Sequence, residues 1–301
     1  KPGTQTLIGQ YKATNDASNY FIATLTNLPI GTYDIQVKAS NTLSNKRTNI
    51  DLSTPAEIDF GTLRVGDSNG NDNVNGADVS YMIPSFLLSS GDAGFLPYAD
   101  TNNNGAINGA DVSALVPNFL KSGPFVDGAA LTPTAQQARA QSATPPTIAL
   151  SPTLSQIKLD EIVQIQAAVA LGTSEADTVD LYLNFDPQLL EIVDAGGQPI
   201  TSLTRNTASF TSATYNKVDN QAGQINLSVS RLDATVTGNS ALVSFYVRAK
   251  RSFTTTAITV AKSGARQSEI FVGGTPLQAA ITGGALTMGE VHRVYVPSAL
   301  R

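Results

Sequence analysis

Two short stretches of the chain gather oxygen-bearing side chains at the same intervals. The first holds Asp67, Asn69, Asn71, Asn75 and Asp78, and the second Asp100, Asn102, Asn104, Asn108 and Asp111. In each, these residues fall at positions 1, 3, 5, 9 and 12 of a twelve-residue loop, and the main-chain carbonyl of Asn73 or Ala106 falls at position 7. A hard cation of calcium's size takes about six to eight oxygens at ~2.3–2.6 Å, and short Asp and Asn side chains on a tightly wound loop can supply them. The chemistry expected here is cation binding, with two Ca²⁺, one per loop, and position 9 acting directly or through water. Each loop offers only two ligating carboxylates, because the third acid of the first loop, Asp72, sits at position 6 and should point away. Few carboxylates imply weak sites suited to extracellular calcium. Glycine normally makes the sharp turn at position 6; the second loop has Gly105, whereas the first must hold Asp72 at positive φ.

The two loops are registered copies. Asp100 follows Asp67 by 33 residues, the hexapeptide Asn-Gly-Ala-Asp-Val-Ser recurs unchanged, and Pro84 with Phe86-Leu87 is matched by Pro117 with Phe119-Leu120. A surface turn rich in Asn and Gly has no reason to repeat in this way. After position 12 each copy reads as a helix, with Asp78 and Asp111 as caps and an apolar stripe of Val79, Met82, Ile83 and Phe86, or Val112, Leu115, Val116 and Phe119. Pro84 and Pro117 fall within the stripes and should kink or restart each helix. A unit of this size with so few large apolar residues has little core, so cation binding there is also folding energy.

The elements around these loops are strands. Tyr33, Ile35, Val37 and Ala39 alternate with polar residues; Tyr20 to Thr26 reads as a further strand, and Ile50, Leu52, Ile58, Phe60 and Leu63 as two short segments. Residues 1–64 are thus expected to form a small, thin β-sandwich that packs on its neighbour or lacks a strand. Residues 65–123 are the loop–helix unit. Residues 124–146, rich in Ala, Thr, Gln and Pro, read as a linker. Strand signals return over 147–288, at Ile157/Leu159, Val163 to Val169, Val179 to Phe185, Ile225 to Val229 and Leu242 to Val247, which predicts a second β-sandwich. Residues 289–301 carry one more short strand, Val291, Val294 and Val296, as a tail. The fold class is mainly β with a small helical centre.

Composition narrows the function. The 301 residues are 41% apolar and 14% charged, with a formal charge of −5, no Cys, no Trp and one His. Disulfides and thiolate chemistry are excluded. An acidic chain without a basic run argues against nucleic acid, and no apolar run is long enough to span a membrane. Lys1-Pro2-Gly3 opens directly into domain-like sequence, so any leader is expected to be gone. Glycoside hydrolysis needs two carboxylates placed across a cleft, and the best acidic clusters here belong to the loops. His292, in an alternating Val-His-Arg-Val-Tyr run, reads as a surface residue, and Tyr33, Tyr182 and Tyr246 sit in strand patterns rather than as sugar platforms.

The duplicated segment resembles a type I dockerin module: Gly66-Asp67-x-Asn69, Val74-Asn75 and Asp78-Val79 fall in that family's register. The resemblance implies binding to a cohesin, with loop positions 10 and 11 at the interface. Those positions are Gly76-Ala77 and Gly109-Ala110, small enough for a flat partner to approach the backbone, and two equal faces would permit two docking orientations. Pro84 and Pro117 depart from the polar helix residues common in the family. Residues 147–288 resemble a cohesin in Leu183-x-Phe185-Asp186-Pro187-x-x-Leu190-Glu191-Ile192-Val193, in Ala241 to Ala249 and in the closing Gly283-Gly284-Ala285-Leu286-Thr287, which implies a nine-stranded jelly-roll that binds dockerins on one flat sheet. The N-terminal part is similar to small transthyretin-like or carboxypeptidase-regulatory-like sandwiches in Leu28-Pro29-x-Gly31-Thr32-Tyr33 and Phe60-Gly61-Thr62-Leu63.

A chain with both halves of one interaction is expected to be a non-catalytic, extracellular assembly protein. Its partners would be other copies of itself, joined head to tail into a filament with closure within one chain blocked. The tail strand would add to an open edge of the next subunit. The alternative is an adaptor that receives a dockerin-bearing enzyme while its own dockerin docks on a different scaffold, in a polysaccharide-degrading complex or at a cell surface.

Overall fold

The structure, a computed structural model, describes residues 2–3, 6–16, 20–126, 145–151, 157–253, 255–282 and 285–288. The tail strand at Val291 to Val296, His292 and most of the linker lie outside the described residues.

In the N-terminal part, β1 (Thr14–Asn15) and β2 (Phe21–Ile22) make a short ladder. The alternating Tyr33, Ile35 and Val37 lie on β3 (Thr32–Val37), antiparallel to β4 (Asn45–Asp51). The third strand of this sheet, β5 (Phe125–Val126), arrives from beyond the loop–helix unit and runs parallel to β4. Instead of a sandwich, the described residues form one three-stranded sheet and the short ladder. The physical reason is supply: Tyr33 and Leu43 are its buried apolar side chains, and Leu43 belongs to the core of the neighbouring unit. The segment holding Ile58, Phe60 and Leu63 forms no strand. Side chains of β4 take its carbonyls instead, Asn45 Nδ2 donating to Phe60 O (2.8 Å) and Thr62 O (3.1 Å), and Arg47 Nε to Asp59 O (2.7 Å).

The repeats fold alike. α1 (Gly76–Met82) and α2 (Gly109–Leu115) each run seven residues, and each continues into one 3₁₀ turn, Ile83–Ser85 or Val116–Asn118, that contains the proline. Proline lacks the N–H an α-helix interior needs, and the chain tightens there. The N-cap is Asn75 or Asn108 rather than the aspartate; Asp78 and Asp111, three residues on, close a reciprocal capping box. Position 8 of each loop bonds the end of the other repeat: Val74 pairs with Leu120 and Lys121, and Ile107 with Leu87 and Leu88. Leu43, Val74, Met82, Phe86, Ala99, Ile107, Val112 and Leu115 make the core of this unit.

The C-terminal part is a sandwich. Its strands are β6 (Thr147–Ser151), β7 (Ile162–Ala170), β8 (Thr178–Asn184), β9 (Leu190–Val193), β10 (Ser212–Asp219), β11 (Gln224–Ser230), β12 (Asn239–Ala249), β13 (Thr256–Val260), β14 (Glu269–Val272), β15 (Thr275–Leu277), β16 (Ala280–Thr282) and β17 (Ala285–Met288). One sheet has the order β16-β6-β7-β12-β9; the other runs β10-β11-β8-β13-β17, with the β14–β15 hairpin joined to β8. With five and seven strands it exceeds the nine the resemblance implied, because the β14–β15 hairpin and short end strands form ladders of their own. The first strand covers Thr147–Ser151, whereas Ile157 and Leu159 form no strand. Strand alternation sends Val179, Leu181 and Leu183 of β8, and Ile225, Leu227 and Val229 of β11, into the shared core. Their neighbours Thr178, Asp180, Tyr182, Asn226, Ser228 and Ser230 point outward and are nevertheless buried.

Leu181, fully buried at the sandwich centre, is the position to probe this core. Leu181→Ala should cost about 2–5 kcal/mol, read as a lower melting temperature of the sandwich by circular dichroism.

Candidate calcium loops and docking face

The two loops wind in the same way because the same short side chains turn the backbone. Asn69 Oδ1 accepts from Asn71 N–H (3.1 Å), Asn71 Oδ1 from Asn73 N–H (2.9 Å) and Asp67 Oδ2 from Asp72 N–H (2.8 Å). In the second loop Asn102 accepts from Asn104 N–H (3.0 Å), Asn104 from Ala106 N–H (2.8 Å) and Asp100 Oδ2 from Gly105 N–H (2.9 Å). At the far end Asp78 accepts from Asn75 and Asn69 N–H, and Asp111 from Asn108, Asn102 and Thr101 N–H. Positions 1 and 12 of each loop are thereby brought face to face. Asn75 and Asn108 are engaged as caps, accepting from Ala77 and Ala110 N–H at 2.8 Å, which occupies one lone pair of each position 9 oxygen.

This arrangement buries opposed negative charge. Asp67, Asp78 and Asp111 are inaccessible to solvent, and Asp67 Oδ1 has no hydrogen-bond partner. Burial, and then the charge of Asp100, push the Asp111 carboxyl up to about 7 in spite of its N–H donors. Burial and the neighbouring Asp67 likewise raise Asp78. In the first loop a carboxylate pair with an orphaned buried oxygen stands among amide oxygens and a turn carbonyl, a donor set that suits a hard divalent cation, and the second loop repeats the residue types. Among the described residues no three His, Cys, Asp or Glu side chains cluster as a metal site; the remaining donors are amides and carbonyls, as a weak calcium loop requires. The residues that could hold an ion are Asp67, Asn69, Asn71, the Asn73 carbonyl and Asp78, and in the second loop Asp100, Asn102, Asn104, the Ala106 carbonyl and Asp111. A bound divalent cation would neutralise each pair and lock the loop against its helix.

The second repeat is covered. All seven residues of α2 are buried, against Asp78 and Met82 alone in α1. What covers α2 is the outer face of β8, β11 and the β14–β15 hairpin. Gly109 N–H donates to Asp180 Oδ2 (2.9 Å), Ser113 Oγ donates to Asp177, and Gly274 N–H donates to Ser113 Oγ (2.8 Å). The approach is so close that a Cβ on Gly109 would lie 2.2 Å from Asp180 Oδ1, and one on Gly274 would lie 2.9 Å from the Ala114 Cβ. Phe86 stacks on Tyr215 of β10 at 5.0 Å. Burial raises Asp180 to about 6, opposed by the nearby Ser228 and Tyr182 hydroxyls and by Gly109 N–H.

The structure thus brings Gly109 and Ala110 onto the sheet, while Gly76 and Ala77 remain exposed. It also corrects one expectation: closure is not blocked, for α2 lies on the sheet of its own chain. The face residues Asp177, Asp180, Ser228 and Gly274 carry no sequence signal beyond alternation and one glycine pair, so sequence reasoning left them unassigned.

With this geometry in view, residues 65–120 match the Dockerin type I domain family. That segment is thus a dockerin-type module, and type I dockerin domains as a family are calcium-binding, non-catalytic modules of protein–protein assembly. Similar solved structures are cohesins. A type II cohesin dyad from an adaptor scaffoldin of Acetivibrio cellulolyticus is 14% identical, with 48% of this chain and 47% of that chain covered and a TM-score of 0.39. The match thus spans about half that dyad's length. A single type II cohesin domain from the cellulosome of the same organism is 16% identical, covering 48% and 94%, with a TM-score of 0.39. A non-cellulosomal cohesin from Archaeoglobus fulgidus is 16% identical, covering 50% and 93%, with a TM-score of 0.36. No curated protein matches the chain. Among the described residues no helix is long and apolar enough to cross a membrane.

Asp111 makes the loops' pH response specific. Its folded, ion-free value of about 7 lies above the usual 3.8, so its contribution to stability is full below about pH 4 and is lost as pH rises through 7. In EDTA the melting temperature should therefore fall between pH 5.5 and 8. In saturating calcium the Asp111 part of that loss should vanish, because the ion replaces the proton, leaving the smaller loss due to Asp180. Equal melting curves in EDTA and calcium at pH 8 would show that the loops hold no ion.

Proposed function

We propose that the chain is a non-catalytic extracellular assembly protein whose calcium-loaded dockerin is the plug for its own cohesin-like sandwich. Two ions are held, one by each loop, through the donor sets given above. One observation carries the reading: the second dockerin helix and the outer sheet of this same chain are complementary, with Gly109 seated on Asp180 and Ser113 between Asp177 and Gly274. A plug that fits its own socket can close within one chain or be exchanged between copies, and repeated exchange is a heterologous contact that builds head-to-tail filaments or rings. The linker sets the balance, since a tether of this kind gives an effective concentration of order mM. Assembly between copies therefore belongs to crowded surroundings such as a cell surface.

A second reading has its own support. Gly76, Ala77 and Ser80 repeat the docked sequence Gly109, Ala110 and Ser113 and are exposed. That free face can take the cohesin of a different scaffold, and the chain would then be an adaptor in a polysaccharide-degrading complex or at a cell surface.

Light scattering and negative-stain microscopy, with calcium and from micromolar to millimolar protein, separate these readings. Head-to-tail assembly predicts particles that grow with concentration and disperse in EDTA. Gly109→Arg, which puts a side chain where no Cβ fits, should lower the growth at least tenfold. A monomer at every concentration would rule out assembly between copies.

A further inference from the structure

At position 6 the first loop departs from the second, and the departure faces the N-terminal sheet. Position 6 of the second loop is Gly105, at φ 82°; in the first it is Asp72, at φ 66°, where a side chain is disfavoured. The Asp72 carboxylate leaves its loop and accepts from both the N–H (2.7 Å) and the hydroxyl of Ser44. Ser44 is in turn held by Gln36 Nε2 of β3 at 2.9 Å. Lys38, just past β3, brings its ammonium to 3.5 Å from Asp72 and into an ion pair with Asp67 Oδ2, and donates to the Thr42 carbonyl at 2.6 Å. Asp67 is position 1 of the loop, and its other oxygen, Oδ1, is the buried atom without a partner. The Lys38 side chain is 29% exposed. In the second loop, Asp100 has backbone donors at both oxygens and, among the described residues, no ion pair.

We propose that the N-terminal sheet is part of the first cation site, with Lys38 as a built-in counter-ion on Asp67 and Asp72 as the latch that holds the loop to the sheet. The proposal rests on the calcium reading above and adds an inequality between the loops. An ammonium and a divalent cation that share one carboxylate repel each other, and a half-exposed position screens that repulsion without removing it. Loop 1 then binds calcium more weakly than its ligand count alone dictates. In return, Lys38 neutralises Asp67 when calcium is scarce, so loop 1 stays wound on the N-terminal sheet. Loop 2, which has no such counter-ion and carries the docked helix α2, loads first and answers to calcium most sharply.

Calorimetric calcium titration of the full chain tests this. Wild type should show two sites of unequal affinity, and Asp100→Asn, which weakens loop 2, should spare the weaker one and so identify it as loop 1. Lys38→Met, which keeps the stem and removes the charge, should tighten the weaker site by on the order of tenfold and leave the stronger unchanged. The same variant should melt at a lower temperature in EDTA, and Lys38→Arg should restore both properties. If Lys38→Met leaves both affinities and the EDTA melting curve unaltered, Lys38 has no such role, while the calcium reading stands. If wild type takes up no calcium, both fall.

Discussion

Facing carboxylates at loop positions 1 and 12 are the constraint on which the rest of this molecule turns. Burying like charges at short range is unfavourable unless protons or a cation compensate; the Asp111 carboxyl is raised first by burial itself and further by the charge of Asp100. Most of the turns in the loops are held by Asp and Asn side chains that also present an oxygen, so on the calcium reading winding the loop and building the cation site are one event. Seven-residue helices are too short to persist in water alone. Here they stand on the capping boxes of Asn75 with Asp78 and Asn108 with Asp111, whose aspartates are the same residues that face the cation site.

From this the docking face follows. Helix α2 can lie flat on a sheet only if its first turn carries no side chain there, and Gly109 meets that condition against Asp180. The sheet must in turn offer polar groups that match the exposed N–H groups at a helix start, which Asp180 does through Gly109. That donor meets Asp180 Oδ2, while Oδ1 stays buried without a hydrogen-bond partner among the described residues, and the carboxyl is correspondingly raised to about 6 by burial. The loops thus act on the docking face as well: by keeping α2 wound, they keep its amide aimed at Asp180.

The three parts of the chain are also less separate than their sequence boundaries. Leu43 completes the dockerin core, Phe125–Val126 completes the N-terminal sheet, and the Arg64 guanidinium lies 3.7 Å over the Phe125 ring. A small sheet that cannot bury enough apolar surface alone gains it by sharing a neighbour's core. The same sharing sets Lys38 and Ser44 against the first loop, a contact made by the first repeat and, among the described residues, not by the second.

Much of this was legible in the residues. Periodic Asp and Asn at the spacing of a cation loop are local: the side chains at positions 1, 3, 5 and 12 bond backbone groups of their own loop, two to ten residues away, so sequence spacing is already geometry. Strand alternation in Val179-Asp180-Leu181-Tyr182-Leu183 likewise specifies two faces. It does not say that the polar face is buried, since a covering element 71 residues away in the chain is invisible to periodicity. For the same reason Gly76-Ala77 and Gly109-Ala110 are indistinguishable as sequence, and only packing exposes one pair and seats the other on Asp180. Lys38 reads as an ordinary polar residue flanking a strand until the fold carries it 29 residues forward to Asp67. Contacts short in sequence are written in the local code of side-chain types; long-range pairings depend on which surfaces meet, and that emerges only when the whole chain has packed.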